Sequence, residues 1–275
     1  MYTINCKGRL IDLSKPKVMG IINVTPDSFY DGGKATALTP IVAKANKMIS
    51  EGADFLDVGG YSSRPAADDI SEQEELDRVL LAVDAIMHDF PKALISVDTF
   101  RSSVAKRAIE AGAAIVNDIS GGMADPKMLE TVGNLKVPYV LMHMKGTPQT
   151  MTSHTDYKNV TRDVLYYFSE RIAAAKKAGI NDIIADPGFG FAKTRQQSFE
   201  LLHNLERFEI LEIPLLVGVS RKSMIYKTLG GTPQTALNGT TALNSIALLK
   251  GANILRVHDV KEAVECVELH EQMRN

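Results

Sequence analysis

Val18-Met19-Gly20-Ile21-Ile22, closed by the polar Asn23, is the run whose reading decides the fold. It is short and continuously apolar, without the alternation expected of a strand with one wet face. Such a run reads as a parallel strand covered on both sides. A helical pattern follows and ends at Gly52, and a second apolar run, Phe55-Leu56-Asp57-Val58, begins soon after. The same alternation recurs through Leu94-Ile95-Ser96-Val97, Ile115-Val116, Tyr139-Val140-Leu141-Met142, Ile183-Ile184-Ala185, Leu215-Leu216-Val217 and Ile254-Leu255-Arg256-Val257. Eight strand runs, each followed by a helical pattern, predict an α/β chain folded as a (β/α)₈ TIM barrel. The rival is an open doubly wound sheet, which usually carries a Gly-rich first turn. No GxGxxG follows Ile22. Upstream, Thr3 to Leu13 read as a short N-terminal hairpin around Lys7-Gly8 that plugs the N-terminal end of the barrel. No repeat, linker or composition break divides the chain, so residues 1–275 are expected to form one domain.

The helical stretches carry start signals. Thr39-Pro40 has the form of an N-cap and first-turn pair. Ser71 with Glu74, and Asp259 with Glu262, have capping-box spacing. Asp125-Pro126 predicts the start of a short helix. Behind Ser71, Leu76, Val79, Leu80, Val83, Ile86 and Met87 share one helical face.

Composition excludes several classes of function. Of the 275 residues, 45% are hydrophobic and 23% charged, as in ordinary soluble domains, so extensive disorder is not expected. No apolar run approaches the roughly 20 residues that span a bilayer, and no signal peptide is visible at Met1-Tyr2-Thr3-Ile4-Asn5. The net charge is −2 without a long basic run, which argues against a nucleic-acid or membrane surface. Cys6 and Cys266 stand at opposite ends and form neither a disulfide framework nor a zinc pair. A reducing cytoplasm is the expected compartment.

A barrel places its active site at the C-terminal ends of its strands, so the polar residues closing each run carry the functional information. They are Asn23, the stretch Gly59 to Pro65, Asp98, Asn117-Asp118, His143, Asp186 with the turn to Phe191, Ser220-Arg221-Lys222-Ser223, and Arg256 with His258. Asp98, Asn117 and Asp186 would satisfy a flat heterocycle rich in N–H donors, because an ionised carboxylate only accepts. Arg64, Lys222, Arg256 and His258 suit an anion, most simply a phosphate. Plainer roles compete with each. Asp98 or Asp186 would serve as a helix cap, Asn117 would hold a turn, and Arg64 and Lys222 would be solvated charges. Arg256, inside an apolar run, would pair internally with Asp57 or Asp98. His258 alone reads more simply as structural. Asp57 reads as a structural hydrogen-bonding residue, and the carboxylates lack the close spacing of a dedicated metal site.

Together these stretches resemble a known family over nearly the whole chain. Gly20-Ile21-Ile22-Asn23-Val24-Thr25-Pro26-Asp27-Ser28-Phe29, with Asp31-Gly32-Gly33, resembles the first signature of the dihydropteroate synthases. Gly59-Gly60-Tyr61-Ser62-Ser63-Arg64-Pro65 resembles the second. Asp98-Thr99-Phe100, the stretch Asn117 to Gly122, the stretch Met142 to Pro148, the stretch Asp186 to Phe191, Ser220-Arg221-Lys222-Ser223 and Arg256-Val257-His258-Asp259-Val260 resemble later ones, in order.

The resemblance implies a (β/α)₈ barrel that joins 6-hydroxymethyl-7,8-dihydropterin diphosphate to 4-aminobenzoate in folate synthesis and releases diphosphate. It implies Asp98, Asn117, Asp186 and Lys222 around the pterin, with Met142 and Phe191 also lining the substrate site. It implies Arg256 and His258 on the diphosphate, and Asn23 on a Mg²⁺ ion that the diphosphate also binds. Asp98, Lys222, Arg256 and His258 are the catalytic set. Ser63, Arg64 and Pro65 are implied on a loop that orders over the second substrate, and Ser223 near the aminobenzoate carboxylate. A homodimer and sulfonamide sensitivity are implied as well. The second signature reads Tyr61-Ser62-Ser63-Arg64-Pro65-Ala66 where the family usually has Glu-Ser-Thr-Arg-Pro-Gly. Ser63 keeps the hydroxyl of threonine and lacks its methyl, and Ala66 restricts the positive φ open to glycine. Two other enzymes compete. A pterin-binding methyltransferase would need neither Arg256 nor His258, and an aldolase-type barrel would use Lys222 as a Schiff-base amine.

Overall fold

The computed structural model describes residues 2–24, 34–62 and 69–274, with the side chains of 34–38 left aside. The chain opens with β1 (Thr3–Cys6) and β2 (Arg9–Asp12), an antiparallel pair in which Cys6 faces Arg9. Lys7 and Gly8 both have positive φ, 53° and 88°. That is the two-residue turn whose twist matches a hairpin. Next come β3 (Lys17–Asn23), α1 (Lys34–Ser50), β4 (Phe55–Gly59), α2 (Glu72–Asp89), β5 (Ile95–Asp98), α3 (Ser102–Glu110), β6 (Ile115–Asp118), α4 (Met128–Leu135), β7 (Tyr139–Met142), α5 (Val160–Lys177), β8 (Ile183–Asp186), α6 (Arg195–His203), β9 (Leu216–Val217), α7 (Ser223–Tyr226), α8 (Leu237–Leu249), β10 (Ile254–Val257) and α9 (Val260–Arg274).

Strands β3 to β10 form one parallel sheet in the order β8-β7-β6-β5-β4-β3-β10-β9. Its two ends meet through the parallel bridge between Ala185 and Leu215, which nearly closes the barrel. The expected (β/α)₈ barrel with an N-terminal hairpin is therefore present, and each predicted strand run lies on a strand. Even the shortest, Ile115-Val116, is the start of β6.

The two-residue period of a strand sorts the side chains into layers. Val18, Leu56, Val58, Ile95, Val97, Val116, Leu141, Val217 and Leu255 join the layer between sheet and helices. The alternate positions, Met19, Phe55, Ile115, Val140, Ile184, Leu216 and Ile254, fill the lower barrel together with Ile4, Cys6, Ile11 and Leu13 of the hairpin. The hairpin is thus a plug with an apolar face. Two residues further along the strands, the inward positions turn polar at Asp57, Ser96, Asn117, Asp186 and Arg256. That change divides the barrel into a packed floor and a reactive mouth.

Three helix starts differ from the sequence expectation. Helix α1 begins before Thr39-Pro40 and carries Pro40 inside it. Thr39 and Pro40 are exposed, where water replaces the hydrogen bond that proline cannot donate. Asp125 does not open α4. It accepts from the Lys127 N–H at 2.9 Å and from the Ser102 N–H, at the start of α3, at 2.7 Å. Asp259 stands at the start of α9, where its carbonyl accepts from the Ala263 N–H at 3.3 Å, but its carboxylate is held by Arg221 through Nε at 2.8 Å and Nη2 at 2.6 Å. Ser71 does cap α2, accepting from Glu74 N at 3.1 Å. Cys6 and Cys266 are free thiols, both buried, and burial pushes the Cys6 thiol up to about 12.

The plug predicts a measurable contribution to stability. Ile4 is 1% exposed, so Ile4→Ala should lower the unfolding free energy by about 2–5 kcal/mol. Urea titration checks this, and a shift smaller than about 1 kcal/mol would show the hairpin to be dispensable to the core.

Candidate active site

The mouth is built on one rung of the barrel. Register pairs Asn23 with Gly59, Gly59 with Asp98, and Asp98 with Asn117, so residues distant in sequence arrive side by side. They are the last or near-last residues of their strands rather than the first of the loops. The rung is tight at Gly59, where a Cβ would lie 3.3 Å from Asp98 Cβ.

Arg256 is the hub. Its Nε donates to Asp57 at 2.6 Å and its Nη2 to Asp98 at 2.6 Å. Asn117 Nδ2 donates to the same Asp57 oxygen at 3.0 Å. Both internal partners considered for Arg256 are therefore real, and they orient its guanidinium at the mouth. Asp57 is structural, as expected. Burial pushes the Asp98 carboxyl up to about 7, against the pull of Arg256 and helped by Asp57, Glu75 and Asp118. The same contacts hold the Arg256 guanidinium in its charged form. Removing Arg256 would leave two carboxylates without their cation, a loss of about 3–5 kcal/mol for a buried pair.

Asp98 caps no helix. The N-cap of α3 is Arg101, and its Ser102 N–H is satisfied by Asp125. Asp186 accepts from Gly188 N at 2.8 Å, which shapes the turn after β8, while α6 is capped by Thr194. Burial raises the Asp186 pKa, opposed chiefly by Lys222. Lys222 is no solvated charge. Its Nζ donates to the Phe189 carbonyl and lies 4.7 Å from the centre of the Phe191 ring. Burial lowers its pKa to about 8, with Asp186 pulling upward. A Cβ at Gly218 would lie 3.8 Å from Arg256 Cβ and 3.9 Å from Lys222 Nζ. Asp118 points the other way, into the sheet–helix layer, and accepts from Tyr139 Oη at 2.7 Å.

His258 sits beside Ser220. Ser220 Oγ accepts from the His258 N–H at 3.1 Å and lies 3.0 Å from Nδ1. The pattern in which the hydroxyl donates to Nδ1 leaves the hydrogen on Nε2. Burial, with Arg256 and Lys44 nearby, lowers the His258 pKa to about 4. His258 is therefore neutral near pH 7, because a half-buried imidazole beside a guanidinium resists a second charge.

An apolar wall completes the mouth. Met142, Ile119, Met144, Met151 and Ala192 cluster there, with Phe100 and Phe191 against them. Asn23 is exposed at the rim, and Ser223 opens α7 one residue beyond Lys222. Ser63, Arg64, Pro65 and Ala66 lie outside the described residues, as does the stretch 25–33. Tyr61 is described. Its hydroxyl accepts from Gln149 Nε2 at 2.6 Å, and its ring meets Phe100 edge-on at 5.0 Å.

Sequence reasoning missed a second buried ionic cluster. Glu75 is fully buried on α2 and accepts from Thr99 Oγ1 and, at 2.7 Å, from Arg101 Nη1. Arg101 also donates to the Ile70 carbonyl at 2.8 Å. It thereby ties the end of β5 to the far stem of the loop after β4. Glu75 lies in the Glu-rich first turn of α2, and only its contacts separate it from exposed neighbours. It also missed the buried pair of His143 and Lys193, whose Nζ and Nδ1 are 2.8 Å apart. A separate cleft of about 620 Å³ lies at the opposite end of the barrel, between the hairpin and the connection from α2 to β5. It holds none of the strand-end polar residues.

Comparison with known proteins agrees with this geometry. The pterin binding enzyme family matches residues 19–258. The chain is 46% identical over 267 residues to the dihydropteroate synthase of Escherichia coli K12, covering 96% of this chain and 94% of that one. It superimposes with a TM-score of 0.91 on a Xanthomonas albilineans dihydropteroate synthase solved with 4-aminobenzoic acid, at 39% identity and 99% and 98% coverage. It superimposes with a TM-score of 0.90 on a Yersinia pestis dihydropteroate synthase in complex with a sulfonamide drug, at 42% identity and 99% coverage of both.

The state of His258 has a consequence for stability. A histidine whose pKa falls from the ordinary 6.5 to about 4 on folding binds fewer protons in the native state between those values. Its contribution is intact above pH 6.5 and is lost as pH falls toward 4. His258→Gln should therefore flatten that part of the decline. Melting temperatures of both proteins across pH 4–7 check this, and parallel curves would rule out a buried neutral imidazole.

Proposed function

This chain belongs to the dihydropteroate synthase family, and from that premise we propose how its own residues carry the reaction. The reaction is the condensation of 6-hydroxymethyl-7,8-dihydropterin diphosphate with 4-aminobenzoate, giving 7,8-dihydropteroate and diphosphate. The observation that carries the residue assignment is the inner rung of the barrel, where Asp98, Asn117 and Asp186 stand beside Arg256 and Lys222. We read residues 1–275 as one barrel domain serving this site.

The pterin lies against Met142 and Phe191, and its N–H donors meet Asp98, Asn117 and Asp186, which suit it because their oxygens accept. Lys222 faces the ring from the opposite side. The diphosphate lies toward Arg256 and His258. The C–O bond at the pterin methylene breaks first, and its electron pair leaves with the diphosphate. Arg256 and Lys222 offset the growing negative charge, and His258 donates from neutral Nε2. Asp98, fixed by Arg256, lies beside the electron-rich pterin that carries the cationic carbon. The amine nitrogen of 4-aminobenzoate then forms the new C–N bond and loses a proton. An aniline-type nitrogen is neutral at pH 7, so attack needs no strong base. Ser63, Arg64, Pro65 and Ser223 serve the aminobenzoate.

Mg²⁺ is proposed as a partner of the diphosphate. Among the described residues no group of three or more His, Cys, Asp or Glu could hold a metal. The exposed amide of Asn23 is a hard oxygen donor, which fits an ion carried mainly by phosphate oxygens and water. Bound there, it would supply charge compensation to the leaving group. A homodimer is proposed too. Exposed Leu229, Ile246, Leu249, Leu269 and Met273 on and around α8 and α9 support an apolar contact face. The described residues include no helix long and apolar enough to cross a membrane, and we propose a cytoplasmic location.

Diphosphate release with both substrates and Mg²⁺ tests the activity. Asp186→Asn should weaken pterin binding by roughly 1–3 kcal/mol, because the amide presents a donor to a donor. Calorimetry with the pterin substrate checks this, and unchanged affinity would remove Asp186 from the site. A sulfonamide should compete with 4-aminobenzoate, since it shares the aniline and sets a polar group where the carboxylate lies. Inhibition insensitive to aminobenzoate concentration would contradict that placement.

A further inference from the structure

We propose that Lys193, which touches no substrate in the arrangement above, is a positioning residue that holds the turn after β8 in the shape the pterin pocket needs. The inference rests on the pterin placement just given. Lys193 is buried and follows Phe191 by two residues. Its Nζ lies 2.8 Å from His143 Nδ1, 3.0 Å from the Gly188 carbonyl and 3.0 Å from the Phe191 carbonyl. Three close acceptors match the three hydrogens of an ammonium. A fourth, the His143 carbonyl, is 3.4 Å away.

These acceptors belong to two different segments. Gly188 and Phe191 bracket the turn after β8, and His143 follows the end of β7. Between the bracketed carbonyls sits Phe189, whose own carbonyl accepts from Lys222. The Phe191 ring is the one that Lys222 Nζ faces. The shape of this turn therefore sets where the Lys222 ammonium stands relative to Asp186 and the pterin.

The turn is not one that the chain adopts unaided. Gly188 and Gly190 have φ of +71° and +78°, and Ala192 has φ of 47°, a left-handed conformation costly for a residue with a side chain. A Cβ at Gly188 would lie 2.1 Å from the His143 carbonyl, so the two segments are in direct contact. Hydrogen bonds from this one buried amine join the two segments, while burial pushes the Lys193 pKa well below the usual lysine range and Asp186 opposes that shift. The clamp is itself anchored. The His143 ring meets Tyr167 edge-on at 4.7 Å, and Tyr167 Oη donates to the Met142 carbonyl at 2.9 Å. Burial and Lys193 keep His143 neutral, and the tautomer with its hydrogen on Nε2 leaves Nδ1 to accept from Lys193.

The test compares the wild-type chain, Lys193→Met and Lys193→Gln. Methionine keeps the length and loses the donors, and glutamine keeps some of them. Calorimetry with the pterin diphosphate alone and steady-state KM values for both substrates are measured with melting temperatures. Lys193→Met should weaken pterin binding about tenfold, the scale of one charge-assisted hydrogen bond. The KM for 4-aminobenzoate should change less than about twofold, below the scale of a single hydrogen bond. Lys193→Gln should fall between. Combined with Phe191→Leu, the loss should be less than additive, because both act through Lys222. Equal weakening of both substrates, or unchanged pterin affinity, would overturn the proposal. So would failure of both variants to fold, which would place Lys193 in folding instead. If the wild type released no diphosphate, the assigned reaction would fail, while pterin calorimetry would still decide the role of Lys193.

Discussion

The guanidinium of Arg256, shared between Asp57 and Asp98, is the contact on which the mouth of this barrel depends. It joins β10 to β4 and β5 across the interior, and Asn117 of β6 adds its amide to the same Asp57 oxygen. Four strands are thereby tied at one level by charge-assisted hydrogen bonds rather than by apolar packing. Burying two carboxylates is unfavourable unless a cation is held against them. Burial still raises the Asp98 pKa against the pull of Arg256, with Asp57, Glu75 and Asp118 adding to the rise. A site assembled this way is rigid because each member satisfies another. In the proposed reaction Arg256 meets the leaving group with its guanidinium already held by Asp57 and Asp98.

The second cation, Lys222, is governed differently. Among the described residues it has no carboxylate within ion-pair distance. It is held by a backbone carbonyl and an aromatic face, with Asp186 acting at longer range. Its pKa near 8 keeps it mostly charged at neutral pH while leaving the ammonium poorly compensated. An uncompensated cation beside an acceptor-rich pocket favours an electron-rich ring and a phosphate together. Arg256 and Lys222 thus divide the work, one fixed by anions of the protein and the other by the shape of a turn.

The mouth also reaches outward through the stems of its loops. Glu75, Thr99, Arg101 and Ile70 form a buried ionic junction at the base of the loop after β4. Tyr61, where the family usually has glutamate, packs on Phe100 and bonds to Gln149 of the loop after β7. Replacing a carboxylate by a phenol there exchanges a charge for an aromatic contact beside the Arg101 guanidinium, which lies 5.6 Å from the ring centre. The floor of the barrel is independent of all this, because the hairpin seals it with Ile4, Cys6, Ile11 and Leu13.

What the sequence determined by itself was the barrel and the membership of its mouth. Continuous apolar runs can be buried only with both faces covered, and a strand's two-residue period carries Asp98, Asn117, Asp186 and Arg256 inward wherever the barrel closes. The hairpin was legible in Lys7-Gly8 for a similarly local reason, since that pair accepts positive φ. What only the tertiary structure decided were the partners. Arg256 could pair with either Asp57 or Asp98 on sequence grounds, and it pairs with both because register brings three strands to one level. Asp125 and Asp259 looked like caps of their own helices, yet distant groups claimed them, Ser102 and Arg221. No sequence pattern marks Glu75 and Lys193 as buried, for burial is a property of what packs above a residue. His258 reads as a cation from its type and as a neutral donor from its surroundings. Pairing, burial and protonation depend on distant neighbours, as with Asp57 and Arg256, 199 residues apart in the chain, and no local pattern encodes them.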